Sequence, residues 1–283
     1  MIKNEDLQKI KIIEYDDQNK NYSMNIFTYI PEGNINNMEI LFIISGCLRD
    51  ALNYLKGWID SANENKYILI APEFDKEHYS IADHEYGNLI DIEYDYCTQD
   101  IYTPNMIYSN HIKEEEKWVY SIIDQIYLDF IKDYNIENKG YNIFGHSSGS
   151  QFVHRFLMLG NSKHCKKYLC ANAGLYTFYN ENENYPYGIC NLQEYDIRIK
   201  NSLEKEVYIL AGEKDTNTKF LNQLPKDIEE GMNRYERAIN YFNSAKKYAK
   251  KYNIKINWHF ISMPNVHHNF KEVIPFATKA INK

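Results

Sequence analysis

The stretch YNIFGHSSGSQF, residues 141–152, decides the fold. Its four mostly apolar leading residues predict a short buried strand, and residues 148–159 favour a helix. Between them stands the pentapeptide GHSSG (145–149). Small residues two places before and after Ser147 let the chain reverse sharply, and the serine hydroxyl then projects at the start of a helix. The pattern predicts a nucleophile elbow with Ser147 as the nucleophile.

Two other interpretations fit the same five residues. A phosphate-binding loop is a weak one, because neither the Lys-Ser/Thr of a P-loop nor a G-x-G-x-x-G arrangement is present. A purely structural turn between strand and helix is the other, and this stretch alone leaves it open.

Strands and helices alternate along the rest of the chain. Runs such as ILFIIS (40–45) are almost entirely apolar, which is typical of strands covered on both faces. The predicted strands are residues 9–15, 24–30, 39–45, 67–71, 141–144, 168–171, 207–211 and 257–261; the predicted helices are 50–61, 114–134, 148–159, 229–252 and one within 269–281. The pattern predicts an α/β fold with a mainly parallel central sheet and helices on both faces.

We expect residues 1–283 to form a single domain. Two tyrosine-rich segments, 73–112 and 174–200, break the alternation. Loops this long are usually functional or disordered, and their aromatic content argues against disorder. They are candidate lid or pocket loops, and Tyr176 and Tyr187 are predicted to bind substrate. His84 lies among acidic residues and is expected at the surface.

Charge and composition exclude several classes of function. The net charge is −7 and there is no long basic block, so nucleic-acid binding is not expected. The N-terminal stretch lacks the apolar core of a signal peptide, and no apolar run has the length of a membrane span. The five cysteines form no C-x-x-C, which favours a reducing, cytoplasmic location, and no metal-ligand spacing is present.

A serine nucleophile needs a base, and the base needs an acid that orients it. The stretch VYILAGEKDTN (207–217) predicts a strand that ends near Gly212, with Asp215 three residues further on. The stretch INWHFISMPNVHHNF (256–270) predicts another strand, followed by His267 and His268. The order serine, acid, histidine fits a triad at the carboxyl ends of parallel strands. Glu213 is a rival acid, and spacing alone does not choose between the two histidines.

An oxyanion hole needs two backbone N–H donors. Ser148 directly follows the nucleophile and supplies one. The turn after strand 39–45, Gly46-Cys47-Leu48, supplies the other through the N–H of Cys47. Down the next helix, His154 and Arg155 are expected to make structural polar contacts.

The sequence resembles the α/β-hydrolase superfamily over most of its length, close to poly(3-hydroxybutyrate)-depolymerase-like and feruloyl-esterase-like esterases. The matching segments are LFIISGC (41–47), ILIAPEFD (68–75), FGHSSGSQFVHRF (144–156), ANAGLYTF (171–178), LAGEKDTNT (210–218) and MPNVHHNF (263–270). The resemblance implies an α/β-hydrolase fold and a serine hydrolase without metal or cofactor. The family's last loop often reads Pro-Gly-x-Gly-His, which places the base at His268. Ser45 departs from the family, where many relatives have histidine.

The expected function is therefore that of a serine esterase. Ser147, His268 and Asp215 would cleave a small, uncharged carboxylic ester through an acyl-enzyme. Two alternatives stay open: an acyltransferase that uses the same triad, and a catalytically silent protein of the same fold that binds a ligand or partner.

Overall fold

A computed structural model describes residues 4–18, 20–95, 105–137, 139–218 and 221–283. The strands are β1 Lys11–Asp17, β2 Tyr22–Tyr29, β3 Glu39–Ile44, β4 Tyr67–Pro72, β5 Ile92–Asp95, β6 Asn105–Tyr108, β7 Tyr141–His146, β8 Cys165–Ala171, β9 Glu206–Gly212 and β10 Trp258–Met263. The helices are α1 Asn4–Gln8, α2 Ala51–Asn65, α3 Ile81–Tyr86, α4 Ser121–Asp133, α5 Ser148–Leu159, α6 Asp196–Ser202, α7 Pro225–Glu230, α8 Arg234–Tyr252 and α9 Phe270–Ile281.

In the described part of the chain, eight strands form the central sheet in the order β1-β2-β4-β3-β7-β8-β9-β10. The pairs β1/β2 and β2/β4 are antiparallel, and every pair from β4 to β10 is parallel. Strands β5 and β6 form a separate antiparallel pair. The predicted fold class, a mainly parallel sheet between helices, is confirmed.

Both faces of the sheet are buried. In β3, Ile40, Phe42 and Ile44 contribute to one apolar cluster, whereas Leu41 and Ile43 contribute to the other. Helices α4, α5 and α8 cover the first face, and α2 and α9 cover the second. This two-sided burial explains the nearly continuous apolar strands of the sequence.

The long helix predicted over residues 229–252 is shorter in the structure. Helix α8 starts at Arg234. Asn233 is the N-cap of this helix, and its side chain accepts a hydrogen bond from the Glu236 N–H. Gly231, at φ 148°, separates α8 from α7. A glycine in this conformation interrupts the helical pattern.

The first tyrosine-rich segment contains ordered structure. Ser80 and Asp83 form a capping box that starts α3. Because α3 packs on α5, His84 is 0 % exposed, and its expected surface position was wrong. Residues 96–104 of the candidate lid lie outside the described residues, so that part of the prediction is not tested.

The second tyrosine-rich segment, 174–200, is also packed against the body of the protein. Tyr176, Tyr179 and Tyr185 are buried in the main apolar cluster. No helix in the described part of the chain has both the length and the apolar character needed to cross a bilayer.

Candidate active site

Ser147 joins β7 to α5 in a backbone conformation that residues other than glycine rarely adopt, with φ 58° and ψ −122°. Its N–H donates to the carbonyl of Ala171 in the neighbouring strand, at 2.9 Å. Its own carbonyl accepts from the N–H groups of Ser150 and Gln151, in the first turn of α5. The surrounding strand and helix thus hold the serine in a strained turn.

The flanking glycines make this turn possible. A Cβ atom on Gly145 would lie 2.2 Å from the carbonyl oxygen of Gly149. A Cβ atom on Gly149 would lie 2.1 Å from the carbonyl oxygen of Ile44. Neither position has room for a side chain, so both glycines of the motif are required by the close approach of backbone segments.

The structure brings Ser147, His268 and Asp215 together. The Nε2 atom of His268 lies 3.0 Å from the Ser147 Oγ, and its Nδ1 atom lies 2.6 Å from the Asp215 Oδ2. A carboxylate can only accept, so the neutral ring carries its proton on Nδ1 and presents Nε2 as an acceptor to the serine hydroxyl. Asp215 is 1 % exposed, which shields this hydrogen bond from water.

Adjacent strand ends hold Asp215 and His268 in register. Strands β9 and β10 pair in parallel, and a turn after β9 is closed by the Asp215 N–H donating to Gly212. The Lys214 N–H then donates to the carbonyl of Val266, in the loop after β10. A Cβ atom on Gly212 would lie 2.6 Å from that carbonyl oxygen, so glycine permits the two loops to touch.

The rival residues lie elsewhere. The side chain of His267 is 65 % exposed, and its backbone N–H donates to Glu272. The carboxylate of Glu213 accepts from the hydroxyl of Ser262 at 2.6 Å. Among the described residues, the geometry pairs His268 rather than His267 with Ser147, and Asp215 rather than Glu213 with His268.

Arg234 is a part of the site that the sequence did not indicate. It is the first residue of α8, is buried, and places its Nη1 atom 3.6 Å from the Asp215 Oδ1. The same atom donates to the carbonyl of Asn217 at 3.1 Å. Burial lowers the pKa of Arg234, while the Asp215 carboxylate opposes the change. The guanidinium group gives the buried carboxylate a charged neighbour in addition to the His268 imidazole that bonds to it.

The predicted oxyanion residues flank the serine. A Cβ atom on Gly46 would lie 3.6 Å from the Ser147 Cβ, so the turn after β3 packs directly against Ser147. Cys47 follows in this turn and is exposed. Its N–H donates to no backbone carbonyl of the described residues. Ser148 is the first helical residue of α5, a position where the N–H has no acceptor within the helix.

A buried carboxylate lies beside this end of α5. Glu85 accepts from the Ser148 hydroxyl at 2.6 Å and from the Gln151 side-chain amide at 2.9 Å. The Arg155 Nη1 atom donates to the Glu85 backbone carbonyl at 2.8 Å. Sequence reasoning missed Glu85, because the contact joins segments 63 residues apart. The capping box before α3 was the available signal that its segment is ordered.

The polar residues further along α5 make structural contacts, as expected. The His154 Nδ1 atom lies 2.9 Å from the Ser150 carbonyl oxygen, and its Nε2 atom accepts from the Thr177 N–H at 3.0 Å. The Arg155 Nε atom donates to the Thr177 hydroxyl at 2.9 Å. These bonds join α5 to the segment that follows β8.

The two predicted substrate-binding tyrosines have different environments. Tyr176 is 0 % exposed and stacks on Tyr241 with ring centroids 4.5 Å apart, so its ring has no surface open to a ligand in this conformation. Tyr187 is half-buried, and its hydroxyl donates to Asp227 at 2.9 Å. Over the described ranges, no group of three or more His, Cys, Asp and Glu side chains is arranged to hold a metal ion.

Comparisons with known proteins find similarity in three dimensions. No family model and no curated protein matches the sequence. Poly(aspartic acid) hydrolase-1 from Sphingomonas sp. KT-1 is 25 % identical, with a TM-score of 0.85 over 97 % of this chain and 98 % of that one. The poly(3-hydroxybutyrate) depolymerase LpqC from Bordetella parapertussis is 22 % identical, with a TM-score of 0.83 over 95 % of this chain and 88 % of that one.

A more distant structure is the S-formylglutathione hydrolase of Staphylococcus aureus. It is 14 % identical, with a TM-score of 0.59, and the match covers 96 % of this chain and 97 % of that one. All three similar structures are α/β-hydrolase-fold hydrolases. The strand order, the strained serine between β7 and α5 and these likenesses together show that the chain has the α/β-hydrolase fold.

Proposed function

We propose that this protein is a serine hydrolase that cleaves a carboxylic ester through an acyl-enzyme. The observation that carries the proposal is the continuous hydrogen-bonded chain from Ser147 through His268 to Asp215. A serine is a weak nucleophile unless a base takes its proton, and this arrangement supplies that base. Similarity to hydrolases named for ester and amide polymers supports the same reaction class.

The first half of the reaction forms the acyl-enzyme. The Ser147 Oγ attacks the acyl carbonyl carbon while its proton passes to the His268 Nε2, and the carbonyl electron pair moves onto oxygen. The N–H groups of Cys47 and Ser148 stabilise this oxyanion. The imidazolium, balanced by Asp215, then donates its proton to the leaving alkoxide as the carbon–oxygen bond breaks.

The second half uses water in place of the alcohol. His268 takes a proton from the water, whose oxygen attacks the acyl carbon, and the collapse of the second intermediate returns the proton to Ser147. An alcohol leaves more readily than an amine, so we expect esters to react faster than amides of the same acid.

The charges near the nucleophile favour an uncharged substrate. The Glu85 carboxylate lies one hydrogen bond from Ser148, and the whole chain carries a net charge of −7. These negative charges would repel a polyanionic substrate. We therefore expect a neutral ester to be preferred over a polymer such as the poly(aspartic acid) named for the similar hydrolase.

The experiment is hydrolysis of a panel of p-nitrophenyl and alkyl esters by the wild type and by Ser147→Ala. We expect Ser147→Ala to lose at least about a thousandfold in kcat while keeping its thermal midpoint, because the nucleophile is removed without changing packing. A matched control is Ser61→Ala, which removes a hydroxyl that is hydrogen-bonded to Thr278. This pair lies away from the site, so the variant should keep full activity.

A fluorophosphonate probe gives an independent measurement. Wild type and Ser61→Ala should be labelled, and Ser147→Ala should not. Full ester hydrolysis by Ser147→Ala, or absence of labelling in folded wild type, would contradict the proposed mechanism. If the protein transfers the acyl group to an added alcohol in preference to water, its activity is that of an acyltransferase rather than of the proposed hydrolase.

A further inference from the structure

A hydrogen-bonded pair outside the triad lies where the segments of the site meet. The Tyr54 hydroxyl, on α2, is 3.0 Å from the Nδ1 atom of His146, the residue directly before the serine. Both side chains are largely buried, and His146 Nε2 is buried without a partner among the described residues. The proposed reaction gives neither residue a role.

The direction of this hydrogen bond follows from a third group. The Tyr54 oxygen lies so close to Gly46 that a Cβ atom there would be only 2.8 Å away. Burial raises the pKa of Tyr54, and a hydrogen bond from the Gly46 backbone opposes the rise. A hydroxyl that accepts from the Gly46 N–H donates its own proton to Nδ1, and a neutral His146 then carries its proton on Nε2.

The two rings also contact the loop that carries the base. The ring of His146 packs on that of His268, with centroids 4.8 Å apart and an angle of 35° between the planes. The ring of Tyr54 stacks on Phe270, two residues beyond His268, at 4.0 Å and 12°. Gly57 on α2 makes room for Phe270, since a Cβ atom there would lie 2.5 Å from its ring.

The pair thus contacts three separate parts of the site: the oxyanion turn at Gly46, the nucleophile elbow through His146, and the base loop at His268 and Phe270. We infer that Tyr54 and His146 are positioning residues that hold the oxyanion turn and the His268 ring in register with Ser147. The inference rests on the proposed function, because it assigns these residues a part in the same reaction. It predicts that losing the hydrogen bond alters turnover more than substrate binding.

The decisive variant is Tyr54→Phe, which deletes one oxygen and keeps the ring stacked on Phe270. We expect kcat to fall about three- to tenfold with KM changed by less than about twofold, as for a lost hydrogen bond that acts on the transition state. The matched control is Tyr67→Phe, which removes the partly buried hydrogen bond from the Tyr67 hydroxyl to Asn282, away from the site. The control should change stability and leave kcat unchanged.

A double-mutant cycle tests whether the two residues act as a unit. His146→Leu removes the acceptor, and His146→Asn keeps an acceptor near the position of Nδ1. We expect Tyr54→Phe to cause no further loss of kcat in the His146→Leu background, and His146→Asn to retain more activity than His146→Leu. The kcat of each variant is divided by the fraction of its protein that unfolds cooperatively on heating. A loss of folded protein is then not counted as a loss of turnover.

Three results would overturn the inference. One is an unchanged kcat in Tyr54→Phe with a loss of stability like that of Tyr67→Phe. The second is strictly additive losses in the cycle, and the third is a change confined to KM. In each case an inactive Ser147→Ala leaves the proposed function standing, whereas a fully active Ser147→Ala overturns the proposed function itself.

Discussion

At Ser147, the space left by the surrounding backbone decides which residues are tolerated. Ser147 has a positive φ, and the glycines on either side of it face backbone atoms at distances that no Cβ atom can occupy. Serine supplies the hydroxyl, but the turn is fixed by Gly145 and Gly149. The same three residues also place the serine at the first turn of α5, where the helix dipole favours developing negative charge.

Adding one methyl group at this turn should be costly. We expect Gly149→Ala to lower the free energy of unfolding by about 1–3 kcal/mol, because its Cβ atom would overlap the Ile44 and Ser45 carbonyl oxygens. The matched control is Gly174→Ala, whose Cβ atom would meet its nearest neighbours at 3.6 Å, an ordinary contact distance. Urea denaturation of both variants measures the difference, and equal stabilities would show that the elbow can relax.

At the scale of elements, the site is assembled by the carboxyl ends of β7, β9 and β10 and by the start of α8. The first three carry Ser147, Asp215 and His268 on the turns that follow them, and α8 brings Arg234 against Asp215. Because the three strands run parallel in one sheet, with only β8 between β7 and β9, residues distant in sequence meet at a single edge.

The contact between Arg234, on α8, and Asp215 should contribute measurably to the free energy of unfolding. We expect Arg234→Leu to lower the free energy of unfolding by about 3 kcal/mol, because it removes a charged neighbour of a buried carboxylate. Arg198→Leu is the control, since it breaks the more exposed ion pair with Glu115 and should cost less than about 1 kcal/mol. Equal costs in chemical denaturation would mean that Arg234 does not stabilise Asp215.

Elements with continuous apolar or strict helical patterns could be predicted from sequence. Helix α5 has the predicted bounds, and β3 and β4 differ from prediction by a single residue. The helix predicted over residues 229–252 started too early, because the apolar spacing does not reveal the break at Gly231. Helix α8 itself begins at Arg234. Contacts of Glu85, Arg234 and Tyr54 were missed for another reason: each depends on how distant elements pack, which local patterns do not encode.

At the scale of the whole molecule, three histidines are completely or almost completely buried in different elements. They are His84 in α3, His146 in β7 and His154 in α5. Burial lowers the pKa of each well below its ordinary value, and nearby positive charges add to the effect. For His154 the contacts fix the neutral form, since its Nε2 atom must accept from the Thr177 N–H.

These histidines should make the fold sensitive to acid. Below about pH 6.5 the unfolded chain binds protons that the folded chain excludes, so the free energy of unfolding falls as the pH is lowered. Glu230 has the opposite influence, because burial raises its pKa and the folded state binds its proton more readily. A single-histidine variant therefore isolates the effect better than the wild-type profile alone.

The variant for this test is His154→Gln, which keeps an acceptor for Thr177 and does not titrate. Between pH 5 and 6, the slope of its unfolding free energy against pH should be smaller than the wild-type slope by about 1.4 kcal/mol per pH unit, which is one proton. Denaturant titrations at several pH values measure both slopes. Parallel profiles would show that His154 takes up its proton equally in both states.

The separation of the triad along the chain has a consequence for biosynthesis. Ser147 and His268 are 121 residues apart, so a growing polypeptide carries its serine long before the base has been made. In the proposed reaction His268 activates the serine, so we expect a chain that ends before β10 to lack an activated hydroxyl and not to react with esters. We therefore expect a fluorophosphonate probe to label only chains that have folded through β10.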